Sequence, residues 1–172
     1  MNKAVLGLFL MPLCALAAEV KVGDTPPDYL GKDADGNQVN VSAYKGKVVI
    51  ATFWATWCGY CRKELPVLER VAEVAGKDRM QAVAVNYHED RDVYYKLERG
   101  FKGAALTLTY DERARISESY GVTGLPNMFI IDKQGKVAYI HVGYDEENLP
   151  QIIDELNGLL AQQAAPAPLP AD

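Results

Sequence analysis

The sequence is poor in residues that bind metals and has no excess of positive charge. Its 172 residues include two histidines and three cysteines, and the formal net charge is −5. A structural zinc site usually needs four cysteine or histidine ligands, so this composition disfavours a zinc-centred fold. Proteins that bind nucleic acid carry a basic surface patch. A net negative charge therefore argues against a nucleic-acid partner.

Long hydrophobic runs are also missing, apart from one segment at the start. Residues 4–18 are apolar and follow Lys3, but this run is shorter than the ~20 residues of a membrane-spanning helix. Residues 15–17 (ALA) have the small-x-small pattern of a signal-peptidase site. We predict that residues 1–17 are a cleaved signal peptide, and an uncleaved membrane anchor is the alternative.

The rest of the chain has the length and composition of one globular domain. Apolar residues make up 49% and charged residues 24% of the sequence, which is ordinary for a folded protein. We expect this domain over residues 18–162. Residues 163–172 are rich in alanine and proline, and we predict that this tail is disordered.

Two continuous apolar runs predict the centre of the fold. Residues 47–54 and 80–87 are rich in β-branched and apolar residues, a pattern typical of strands that are covered on both faces. Residues 59–75 between them have helical spacing of apolar residues, and Gly76 follows as an end signal. We therefore expect an α/β fold with a central mixed sheet flanked by helices.

Shorter patterns predict the remaining elements. Asp35-Gly36 is a hairpin signal near the N-terminus, and residues 133–135 form a turn between two further strands. We expect strands over residues 105–110, 127–132 and 136–142, and helices over residues 90–100, 114–121 and 145–160. We interpret the elements around residues 88–110 as an inserted element in the middle of the chain, and the hairpin as an N-terminal extension.

The remaining cysteine pair is the main functional signal. Removal of the signal peptide would leave Cys58 and Cys61, three positions apart. As a structural staple the pair would close a loop of only four residues, which is worth about 2 kcal/mol. A metal site would need further ligands, but His88 and His141 are far apart in sequence. We interpret them as ordinary surface or sheet-edge histidines.

A redox role has a physical reason at each position. A helix that starts at the pair would place Cys58 at its N-terminus, where the helix dipole and free N–H groups stabilise a thiolate. The thiolate is the attacking species in disulfide exchange. Helical spacing brings Cys61 within reach of Cys58. Trp57 and Tyr60 would give the exposed sulfur an aromatic rim for gripping a polypeptide.

The segment FWATWCGYCRKELP resembles the active site of thioredoxin-fold proteins. It is most similar to the exported TlpA/ResA group, which includes cytochrome c maturation reductases. The resemblance covers about residues 20–160 and extends to YKGKVVIATFWATWCGYC, AVAVNY and YGVTGLPNMFIIDKQGKV. It implies a thioredoxin-like fold. One departure is Gly59-Tyr60 between the cysteines, where many relatives carry a proline; this dipeptide tunes the reduction potential.

The resemblance also implies roles for three further residues. Glu64 would lie partly buried beneath the cysteines and exchange a proton with Cys61; a solvated glutamate is the alternative. Pro126 would be the cis-proline opposite the disulfide, where the backbone of Leu125 aligns a substrate strand beside Cys58. No metal and no organic cofactor is implied.

These observations lead to three hypotheses about function. The first is a periplasmic thiol–disulfide reductase, monomeric, that acts on disulfides or Cys-x-x-Cys motifs of client proteins such as apocytochrome c or a copper-site protein. By resemblance its electrons come from a membrane donor of the DsbD/CcdA type. The second is an oxidant or isomerase of the same fold. The third is a binding module without turnover.

Overall fold

The computed structural model describes residues 19–101 and 103–162. The predicted signal peptide and the predicted disordered tail lie outside the described residues. Within these ranges the strands are β1 (Tyr29–Lys32), β2 (Gln38–Asn40), β3 (Val48–Trp54), β4 (Met80–Tyr87), β5 (Leu106–Asp111), β6 (Asn127–Ile131) and β7 (Val137–Val142). The α-helices are α1 (Gly59–Ala75), α2 (Arg91–Glu98), α3 (Arg115–Tyr120) and α4 (Leu149–Ala161).

The central sheet is mixed, with strand order β5-β4-β3-β6-β7. Strand β4 pairs in parallel with β3 and β5, whereas β6 pairs antiparallel with β3 and β7. Strands β1 and β2 form the predicted N-terminal hairpin as a separate antiparallel pair. The predicted central mixed sheet with a hairpin extension is therefore confirmed.

Strand β3 lies in the middle because all of its residues are apolar or small enough to be buried on both sides. Its side chains alternate between two cores. Val48, Ile50 and Trp54 face a core that includes Leu65 and Leu68 of α1, together with residues of α4. Residues 49, 51 and 53 face a second core with the hairpin and α3.

Two predicted helices differ from the observed ones at their ends. The helix expected over 90–100 is α2 followed by a 3-10 turn over Arg99–Phe101, since Gly100 weakens the last turn. The helix expected over 145–160 begins as a 3-10 turn over Glu146–Asn148, and α4 starts at Leu149. Pro150 lies in the first turn of α4, where its missing N–H costs no helical hydrogen bond.

Helix α1 matches the prediction closely. The helix covers residues 59–75, runs through Pro66 and ends at Gly76, which has a positive φ of 82°. The Gly76 N–H donates to the carbonyl of Ala72 and closes the last turn. Among the described residues no helix is both long and apolar enough to cross a membrane.

Candidate active site

The functional residues gather at one edge of the sheet, where β3 and β4 end. In the parallel pair, Trp54 lies opposite Asn86, and in the antiparallel pair Phe53 lies opposite Asn127. The loop that follows Trp54, the turn that follows β4 and the residues that precede β6 therefore meet at this edge. Pro126, which directly precedes β6, is brought beside the start of the loop that leads to Cys58.

The two cysteines form a disulfide at the N-terminus of α1. Cys58 and Cys61 are bonded, with 5.3 Å between their Cα atoms. Cys58 is the N-cap of the helix, and its Sγ accepts a hydrogen bond from the Cys61 N–H at 3.1 Å. Cys58 is 7% exposed and Cys61 is fully buried. The first sulfur is thus the one nearer to solvent, and it lies where free N–H groups favour a negative charge.

Glu64 is a buried acid on the same helix as the cysteines. It is 2% exposed, and its Oε2 accepts a hydrogen bond of 2.7 Å from the Thr52 hydroxyl. Burial raises the pKa of Glu64 to about 7, although the hydrogen bond from Thr52 lowers it in part. The solvated alternative for Glu64 is wrong. A carboxyl with such a pKa holds or releases a proton close to neutral pH.

The aromatic residues beside the disulfide are exposed, as expected for a rim. Trp57 is 64% exposed and Tyr60 is 63% exposed. Leu125 is partly buried and packs against the core that contains both cysteines. The Leu125–Pro126 peptide bond is cis, as the resemblance implied. The Gly143 N–H donates to the carbonyl of Pro126 at 2.8 Å and ties this loop to the end of β7.

One carboxylate at this edge was missed in the sequence. Glu89 follows β4, and its Oε2 accepts hydrogen bonds from the Thr56 N–H at 3.1 Å and from Asn86 Nδ2 at 2.9 Å. The Thr56 hydroxyl donates to the other oxygen of Glu89. Glu89 therefore holds the loop two residues before Cys58. An acid directly after a buried strand is the signal that would have pointed to it.

The turn that carries Glu89 has a strained backbone, which two hydrogen bonds hold in place. His88 has a positive φ of 42°, which is uncommon for a residue other than glycine. The His88 N–H donates to the carbonyl of Asp111 at 3.1 Å, and the Tyr110 hydroxyl donates to the carbonyl of Glu89 at 2.7 Å. Strain of this kind is kept where surrounding contacts determine the conformation.

Among the described residues, neither histidine side chain hydrogen-bonds to the cysteines, Glu64 or Glu89. His88 is exposed in the strained turn. His141 lies on the edge strand β7, where its Nε2 is 2.7 Å from an oxygen of Glu155. Within residues 19–101 and 103–162, no cluster of three or more histidine, cysteine or acidic side chains is arranged to hold a metal ion.

A Cys-x-x-Cys disulfide at the start of a helix, next to a cis-proline loop on a mixed sheet, defines a class of proteins. That class is the thiol–disulfide oxidoreductases of thioredoxin-like fold. The chain matches the Redoxin family over residues 21–157. It therefore belongs to the Redoxin family.

Individual proteins agree with this class. The thiol-disulfide oxidoreductase ResA of Geobacillus thermodenitrificans is 33% identical over 80% of this chain and 79% of that protein. The thioredoxin-like protein YneN of Bacillus subtilis is 33% identical over 72% of this chain and 73% of its own length. The structure resembles that of a thiol:disulfide interchange protein, DsbE, from Chlorobium tepidum, with a TM-score of 0.71 and 29% identity over 83% of this chain and all of the other. The expected thioredoxin-like fold and a thiol–disulfide oxidoreductase of the ResA/DsbE type are confirmed.

Proposed function

We propose that this protein is an exported, periplasmic reductase that reduces disulfides of client proteins. The observation that carries this proposal is the buried carboxyl of Glu64, whose pKa is about 7, one turn beyond Cys61 on the same helix. A reductase must deprotonate a buried thiol to release its client, and in this proposal Glu64 takes that proton. In this proposal Cys58, the cysteine nearer to solvent, attacks the client, and the buried Glu64 takes up the proton of Cys61.

The first half of the reaction is attack by Cys58. In the reduced protein its thiolate attacks one sulfur of the client disulfide, forms a mixed disulfide and expels the second client sulfur as a thiolate. Trp57 and Tyr60 contact the client beside the reacting sulfur, and the backbone of Leu125 and Pro126 aligns the client strand. Apolar and aromatic contacts of this kind tolerate different client sequences.

The second half is resolution by Cys61. Glu64 accepts the proton of the Cys61 thiol, and the resulting thiolate attacks the Cys58 sulfur. The Cys58–Cys61 disulfide forms, the client leaves with both its sulfurs reduced, and two electrons have passed to it. The oxidised pair must then be reduced again. We infer a membrane-bound electron donor of the DsbD/CcdA type, a monomeric protein, and clients that include apocytochrome c with its Cys-x-x-Cys motif.

The reduction potential tests the direction of electron flow. The protein without its signal peptide is equilibrated in glutathione or dithiothreitol buffers, and the disulfide is followed by thiol labelling and by the fluorescence of Trp57. A potential at or below about −230 mV is expected for a reductase. A potential near −120 mV would overturn the proposal and indicate an oxidant. The Cys58→Ser variant is the control, because it removes the signal without altering the aromatic rim.

A further inference from the structure

An apolar groove lies between α1 and the inserted helix α2. Its volume is about 700 Å³. Its lining includes apolar side chains, among them Leu65 and Pro66 of α1 and Leu97 of α2. Thr56, two residues before Cys58, and Arg62, the residue after Cys61, both line the groove. A polypeptide held at Cys58 therefore has this groove within reach.

The walls of the groove carry positive charge in a protein with a net charge of −5. Arg62 of α1 and Lys96 of α2 both line it. Both side chains are exposed, and among the described residues neither has a carboxylate within ion-pairing distance. Val93, also of α2, is 41% exposed at the same groove. The surface thus combines an exposed apolar contact with two free cations.

The opposite side of α1 borders a negatively charged cleft. Tyr60 and Lys63 line a separate cleft there with three consecutive acids, residues 145–147. Lys63 is 3.7 Å from Glu146, so the lysine in this cleft already faces a carboxylate. An acidic client residue would be repelled on this side and attracted on the groove side. The difference in charge therefore selects where an acidic residue of a client lies.

We propose that the groove between α1 and α2 docks a client polypeptide segment that carries a large apolar side chain and an acidic residue next to its disulfide cysteine. The apolar side chain contacts Val93 and Leu97, and the acid pairs with Arg62 and Lys96. This inference rests on the proposed reductase function and specifies the class of client that reacts fastest. Charge complementarity of this kind acts on encounter and orientation more than on the chemical step.

Three synthetic peptides test the proposal. Each has one internal disulfide, and they differ only in the two residues beside the first cysteine: Leu-Glu, Leu-Lys or Ser-Glu. The second-order rate constant for reduction by the reduced protein is measured in a single turnover. We expect the Leu-Glu peptide to react about twofold to thirtyfold faster than the Leu-Lys peptide at low salt, the range of two exposed ion pairs. The Ser-Glu peptide should lie between them.

Two variants and one matched control locate the effect. Lys96→Glu should remove or reverse the preference for Leu-Glu, and Val93→Ser should reduce the advantage of leucine over serine. Lys45→Glu makes the same change of charge before β3, at the end of that strand opposite to the disulfide, and should leave the preference intact. Equal rates for the three peptides, or equal effects of Lys96→Glu and Lys45→Glu, would overturn the docking proposal.

Reduction of a small neutral disulfide distinguishes the docking proposal from the proposed reductase function on which it rests. Bis(2-hydroxyethyl) disulfide is too small to fill the groove, so its reduction rate should be the same in Val93→Ser as in the unaltered protein. If neither this compound nor any peptide is reduced, the reductase function fails and the docking proposal fails with it. If the protein sediments as a dimer that Lys96→Glu dissociates, the groove is an interface between two copies and docking of a client is wrong.

Discussion

Two buried carboxylates in this protein have opposite surroundings. Asp111, at the end of β5, is 3% exposed and accepts three hydrogen bonds, from the Ile116 N–H at 3.1 Å and from the Ser117 N–H and hydroxyl at 2.8 and 2.6 Å. Glu64 is 2% exposed and accepts one, from Thr52. Donors that surround a carboxylate replace its hydration. Asp111 thus holds the start of α3, whereas burial with a single donor keeps Glu64 ready to take up a proton.

The largest effect should come from removing the proton acceptor. Glu64→Gln should slow release of the client from the mixed disulfide by about 10²-fold or more, the usual contribution of a general base. Attack by Cys58 should be unchanged, so the mixed disulfide should accumulate and be visible by mass spectrometry. In the unaltered protein the resolution rate should rise with pH through about 7, where Glu64 loses its proton.

Asp111→Asn is the matched control for this experiment, because it also neutralises a buried carboxylate, at the end of β5. It should leave the resolution rate unchanged. If the mixed disulfide of Glu64→Gln is resolved at a rate within threefold of that of the unaltered protein from pH 5 to 8, the proposed role of Glu64 as proton acceptor is wrong.

The pH dependence of the free energy of unfolding should also reveal the unusual protonation of Glu64, without any client. The pKa of Glu64 is raised from 4.5 to about 7 in the folded protein, so folding favours the protonated form. This contribution is fully present below pH 4.5 and is lost as the pH rises through 7, a change of about 3 kcal/mol.

Denaturant unfolding of the oxidised protein at pH 4.5 and pH 8 measures this change. The free energy of unfolding of Glu64→Gln, relative to the unaltered protein, should increase by about 3 kcal/mol between these two pH values. A difference that does not vary with pH would mean that Glu64 is not protonated on folding.

Loss of the Asp111 carboxylate, which accepts three hydrogen bonds, should instead lower the free energy of unfolding at every pH near neutrality. Asp111→Ala leaves the Ser117 hydroxyl and two backbone N–H groups at the start of α3 without their acceptor. We expect a loss of about 2–3 kcal/mol in the free energy of unfolding. The reduction potential of the cysteine pair should not move, and a shift in that potential would contradict a purely structural role.

The smallest effect should come from Glu89, which is intermediate between the two acids. It is half-buried and holds the loop before Cys58 through Thr56. Glu89→Ala should speed hydrogen exchange at the Thr56 amide about tenfold, since one charged hydrogen bond of about 1.4 kcal/mol is lost. Glu89→Gln, which keeps one acceptor oxygen, should have a weaker effect. Unchanged exchange in both variants would show that this contact does not hold the loop.

Local patterns in the sequence predicted most of the elements. The bounds of α1 and β4 follow from an apolar helical face, a glycine end signal and a buried β-rich run. The cysteine spacing placed both sulfurs at a helix start, and the resemblance placed the cis-proline. The roles of Glu64, Trp57, Tyr60, Leu125 and Pro126 remain predictions that await the experiments above.

The contacts that were missed join residues distant in sequence. Glu89 reaches back to Thr56 across two neighbouring strands, and the strained turn at His88 directs it there. Tyr94 is buried and its ring lies 4.7 Å from that of Tyr110, an arrangement that requires α2 to lie against β5. No spacing within one segment encodes such pairs.

The sequence by itself determined the chemistry that is possible: two thiols one helical turn apart, an acid three residues further along, and a helix dipole directed at the first sulfur. Each of these depends on distances within a single segment, which helix geometry sets. Only the tertiary structure decided how strongly Glu64 is desolvated, which acid holds the active-site loop, and that two cations line one groove between α1 and α2. Those properties depend on which strands become neighbours, because burial and charge at a point are the sum of all elements packed around it.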